Sequence, residues 1–71
     1  MNNLKINNLK IMDNFLSDLE VGYGTDFRDS ENSFITLSPY VSKNLIKFIR
    51  SKVKELNLKM RKRGNSYVIT A

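Results

Sequence analysis

The chain has 71 residues, a net charge of +5, and neither cysteine nor histidine. That length holds one small domain whose core supplies roughly 3–5 kcal/mol. The composition excludes disulfides, thiolate or imidazole metal sites, and the usual general base and best nucleophile.

No apolar run reaches the about 20 residues that a membrane span needs, and Asn and Lys interrupt any signal-peptide core at the start. The expectation is a cytoplasmic protein with no membrane association, no cofactor and no enzymatic activity. Charge is unevenly spread. Between residues 12 and 32, Asp13, Asp18, Glu20, Asp26, Asp29 and Glu31 face only Arg28. From residue 33 onward, nine Lys or Arg face only Glu55. A basic second half suits a partner carrying phosphate charge or an acidic protein.

The chain begins with a tandem repeat, NNLKI written twice over residues 2–11. As a single strand it would send Leu4 and Ile6 to one face and Leu9 and Ile11 to the other. From about residue 9 a helix fits better, because Leu9, Met12, Phe15, Leu16 and Leu19 follow the i, i+3, i+4 rule. Asn8 would cap this helix and Gly22 would take the left-handed position after it. Residues 1–8 then read as a flexible arm or short strand, and the repeat reads as a duplication in the gene.

Residues 22–33, GYGTDFRDSENS, have loop composition. The stretch SFITL, 33–37, is a short strand. Ser38-Pro39 is a helix-start signature, an N-cap before a proline at the first helical position. A helix from Pro39 to about Asn57 would carry Val41, Leu45, Phe48, Ile49, Val53 and Leu56 on one face. Lys43, Lys47, Arg50 and Lys54 fall on the opposite face. Lys52 falls inside the apolar arc, so it must snorkel out or meet a partner.

The tail LKMRKRGNSYVIT predicts a β-hairpin with Gly64-Asn65 as a two-residue type II′ turn. That register pairs Met60 with Ile69, Arg61 with Val68, Lys62 with Tyr67 and Lys59 with Thr70. Leu58, Met60, Tyr67 and Ile69 would face the helix, and Lys59, Arg61 and Arg63 the other side. RKRGNSYVIT is similar, over about ten residues, to the strand–turn–strand signature of swapped-hairpin DNA-binding proteins, where it lies near the N-terminus. A Gly-Asn turn accounts for that match by itself, and no family is assigned.

The predicted fold class is α+β, a single small domain over residues 9–71. Its order is α-β-α-β-β, a three-stranded sheet whose C-terminal hairpin packs on one long amphipathic helix.

Asp26, Asp29 and Glu31 cluster in a loop, but their spacing matches no calcium loop, so they read as solvated acid and no metal is expected. Ser38 and Ser42 have no activating base in view. The basic half points to nucleic-acid binding, DNA or RNA, through Lys43, Lys47, Arg50, Lys54, Lys59, Arg61, Lys62, Arg63 and Asn65. Cations on an outer face also serve solubility alone. If helix and hairpin pack face to face, their cations would join only near the tip, at Lys54 and Lys62. A different reading is a phage-type interaction module or inhibitor that binds a host protein through the acidic 13–31 segment, at Asp26, Asp29 and Glu31. A third is a homo-oligomer, in which a partner copy extends a marginal core.

Overall fold

Six elements follow in the order α-β-β-α-β-β: α1 Asn3–Leu19, β1 Tyr23–Asp26, β2 Phe34–Leu37, α2 Lys43–Glu55, β3 Lys59–Arg63 and β4 Ser66–Thr70. The computed structural model describes residues 3–28 and 32–71, with side chains from Ile6 onward. The four strands form one antiparallel sheet in the order β1-β2-β4-β3. Helix α1 packs on β2 and helix α2 on β3. Both helices lie on one side of the sheet, and among the described residues no helix covers the other side.

Four expectations need correction. The sheet has four strands, because residues 23–26 pair with β2, Tyr23 opposite Leu37 and Asp26 opposite Phe34. These residues had loop composition, and their edge position explains why a strand tolerates Gly24 and Asp26 there: one flank makes no ladder bonds and little of the strand is buried.

The first helix starts at Asn3, so residues 3–8 are helical turns rather than an arm or strand. It ends on Leu19, and Glu20 rather than Gly22 takes the left-handed conformation, at φ 58°. The second helix starts at Lys43, not Pro39. Ser38 stays tied to the sheet through its N–H to the Gly22 carbonyl (2.8 Å), and its hydroxyl accepts from the Tyr40 N–H (3.2 Å) in a turn. Ser42 is the actual cap, its side chain accepting from the Leu45 N–H at 3.3 Å.

The repeat has a simple geometric meaning inside α1. Five residues at 3.6 per turn rotate a side chain by roughly 140°, so the two copies cannot share a face. Ile6 of the first copy is half-buried while its counterpart Ile11 is 45% exposed.

The core lies between the helices and the sheet. Leu9, Met12 and Leu16 of α1, Ile49 and Val53 of α2, Ile35 and Leu37 of β2, and Ile69 of β4 are buried together with Leu58. The expected stripe on α1 holds. On α2, Phe48 is 54% exposed and leans on Phe15, their ring centroids 5.5 Å apart. Lys52 meets partners as required: its Nζ lies 2.7 Å from the Glu55 carboxylate and 5.4 Å from the centre of the Phe15 ring.

After α2 the chain reverses in a tight cap. The Asn57 N–H donates to the Lys54 carbonyl (3.1 Å) and the Leu58 N–H to the Val53 carbonyl (2.9 Å), with Asn57 at φ 57°. This double bond pattern is a Schellman cap, with Val53 and Leu58 both buried across it. The cap sends β3 back along α2, antiparallel to it.

The hairpin register agrees with expectation pair by pair from Lys59–Thr70 to Lys62–Tyr67. Gly64 has φ +62° while Asn65 does not turn positive, which is the type II′ pattern.

Candidate functional site

Topology separates the charges. Asp13 and Asp18 sit on α1, Glu20 follows it, and Asp26 lies on β1, at one edge of the sheet. The cations of α2 and β3 gather at the opposite edge. Asp26 is engaged by Arg28, whose Nε lies 3.0 Å from a carboxylate oxygen. Asp29 and Glu31 lie outside the described residues. Among the described residues no group of His, Cys, Asp and Glu could hold a metal ion, and no helix is long and apolar enough to cross a membrane.

All four helix cations, Lys43, Lys47, Arg50 and Lys54, are exposed, as are Lys59, Arg61, Lys62 and Arg63 on β3. Among the described residues none of these eight has a carboxylate within ion-pair distance; the two ion pairs are Arg28–Asp26 and Lys52–Glu55.

Their placement follows from strand geometry. From Leu58, four strand residues at 3.3 Å each travel about 13 Å, the rise of roughly nine helical residues. Lys62 therefore comes back level with the first half of α2 rather than its end. The expected junction of Lys62 with Lys54 is replaced by one of Lys62 with Lys43, Lys47 and Arg50. These four cations surround an open cleft of about 450 Å³ between α2 and the hairpin. Its apolar lining is Pro39, Val41 and Ile46, and Asn65 and Tyr67 close the hairpin side. The Arg50 guanidinium carbon lies 5.6 Å from the centre of the Tyr67 ring. Lys54 lies one turn beyond the cleft.

Lys59, Arg61 and Arg63 point to the uncovered side of the sheet, as expected. They recur every second residue, about 6.8 Å apart along the edge strand. The register extends rows from them across the sheet. Arg61 is followed by Val68, Thr36 and Gly24; Lys59 is followed by Thr70, Phe34 and Asp26. Arg61, Lys62 and Arg63 border a depression of about 370 Å³ with Val68 and Thr70. Between its edges this face is made of Val68, Thr36, Thr70 and Phe34, and much of its accessible surface is apolar.

Sequence reasoning left two residues out of the candidate site. Tyr67 reads as core first, and as a stacking surface for a base only if exposed; it is half-buried, with the Arg50 guanidinium over its ring. Its juxtaposition with Arg50 required knowing that the hairpin returns along α2, which no local pattern announces. Pro39 read as the first turn of a helix and instead forms part of the cleft wall.

On the acidic side, the Tyr23 hydroxyl lies 3.0 Å from the Asp13 carbonyl and 2.5 Å from its carboxylate. Donation to that carboxylate raises the tyrosine pKa above its ordinary value, and burial and the Asp13 charge push it the same way.

Comparison with family models, with curated proteins and with solved structures yields no match to this chain.

Proposed function

We propose that this protein binds nucleic acid through the cations of α2 and the C-terminal hairpin. The observation that carries the reading is the convergence of Lys43, Lys47, Arg50 and Lys62 on one cleft, beside a regular row of Lys59, Arg61 and Arg63. Like charges held this close repel one another, and no carboxylate among the described residues relieves them. An anionic partner would. Phosphate backbone supplies such charge at regular spacing, about 3.4 Å per strand along the axis, so alternate strand residues fall near every second step. The acidic edge lies at the far side of the sheet and would orient the protein as it approaches. A cytoplasmic setting goes with this reading, since the chain has no cysteine to oxidise.

The test is fluorescence anisotropy with labelled duplex DNA, single-stranded DNA and RNA across a salt series. Binding should weaken linearly in a plot of log affinity against log salt. The double substitution Arg61→Ala and Arg63→Ala should lower that slope by roughly 1.4 on a single strand, two contacts at about 0.7 each. An unchanged slope would remove the hairpin row from the interface. No binding at low salt would refute the proposal and shift attention to a protein partner for the acidic edge.

A further inference from the structure

We infer that the cleft between α2 and the hairpin takes one unpaired nucleotide, its base laid on the Arg50 guanidinium and its phosphates held by Lys43, Lys47 and Lys62. This rests on the nucleic-acid reading and specifies what that site accepts.

The cleft differs from the β3 row in chemistry. Among the described residues no cation of the row lies over an aromatic ring, so the row offers charge to a backbone rather than a platform to a base. The cleft combines cations with an apolar wall of Pro39, Val41 and Ile46. A bare phosphate would satisfy the cations and leave the wall uncovered. A nucleotide covers both, since it joins a flat, largely apolar body to a charged group. The volume of about 450 Å³ falls within the range of small-ligand sites.

Arg50 supplies the platform. Its guanidinium carbon lies 5.6 Å from the centre of the Tyr67 ring, within reach of attraction between cation and ring, and the side chain is exposed to an incoming base. Bases stack on guanidinium planes as they do on aromatic rings. Asn65 adds an amide donor and acceptor at the hairpin end, the groups that a base edge requires. A base inside a duplex is paired and stacked, so it could reach this cleft only by leaving the helix. A single strand needs no such step. It could run along the β3 row and cross the hairpin tip between Arg63 on one side and Lys62 on the other.

The decisive variant is Arg50→Lys, which keeps the charge and removes the plane. Anisotropy would be measured at one low salt concentration with a labelled single-stranded oligonucleotide, an abasic strand of equal length, and a blunt duplex. The wild type should bind the natural strand about tenfold more tightly than the abasic one or the duplex. Arg50→Lys should lose that preference and bind the abasic strand as the wild type does. Lys43→Gln with Lys47→Gln should weaken natural and abasic strands alike. If the wild type binds all three probes equally, the cleft supplies charge alone; if Arg50→Lys retains the preference, the base does not lie on Arg50. The inference then fails while the nucleic-acid reading stands. If the wild type binds none of them, both fail.

Discussion

Glu20 offers a test of how the first helix is terminated. It occupies the left-handed region at φ 58°, donating its N–H to the Ser17 carbonyl at 3.1 Å. A residue with a β-carbon gives up about 1–2 kcal/mol there. Its carboxylate also sits at the negative end of α1, with no basic residue in the last turn, which costs about 0.3–1 kcal/mol. Glu20→Gly removes both terms but adds freedom to the unfolded chain, a loss of about 0.4–1 kcal/mol. The balance is a gain near 1 kcal/mol, or about 4–8 °C in Tm for a domain of this size. Thermal melts followed by circular dichroism would measure it. Glu20→Gln isolates the charge and should give a smaller rise that shrinks with added salt. Should Glu20→Gly prove no more stable than Glu20→Gln in high salt, the backbone strain assigned to this position is absent.

Three further outcomes follow from the same geometry. Ile49→Ala empties a fully buried position between α2 and the sheet and should cost about 2–5 kcal/mol, enough to unfold much of so small a domain; a near-normal urea midpoint would contradict the core described here. Gly64→Ala meets nothing within 4 Å, so its cost is backbone alone, about 1 kcal/mol at φ +62°, and a loss several times larger would mean that the turn is built differently. Tyr23→Phe tests the raised tyrosine pKa: wild-type stability should fall as pH rises above about 10, because the folded state holds that proton longer than the unfolded chain. The stability gap between wild type and Tyr23→Phe should therefore be constant below that pH and narrow above it, and a gap independent of pH would deny the contact with Asp13.

The hairpin was legible in the sequence because two local rules agree there. Alternation places Met60 and Ile69 inward, and Gly64-Asn65 permits only one short turn, so the register is fixed without reference to the rest of the chain. The start of α2 was misread because two serines satisfy the same capping rule. Ser38 precedes proline, yet its N–H is already committed to Gly22, a contact made across the sheet and invisible in sequence. Strand β1 was missed for a related reason: an edge strand needs little buried side chain, and Gly24 and Asp26 signal a loop to any local rule. The candidate cations could be assigned to faces from periodicity. Which of them meet depended on the direction of β3 after the Asn57 cap, and that set the cleft with Lys47 and Arg50 rather than at Lys54.

The separation of charge also bears on how binding defects should be read. Both ion pairs among the described residues are local, spanning two and three positions, and Arg28 and Glu55 in them are well exposed. Exposed pairs of this kind contribute little to stability. Among the described residues no ion pair joins the acidic edge to the basic one, and the fold is held by the buried cluster between helices and sheet. Lys62 faces the cations of α2 as a like charge, and Lys59, Arg61 and Arg63 neighbour one another on the other side of the sheet. Neutralising them removes repulsion and leaves the core untouched. Loss of binding in Arg61, Arg63, Lys43 or Lys47 variants would therefore report a lost contact, provided that the melt is unchanged or raised. The residues proposed for the interface are ones the fold can spare.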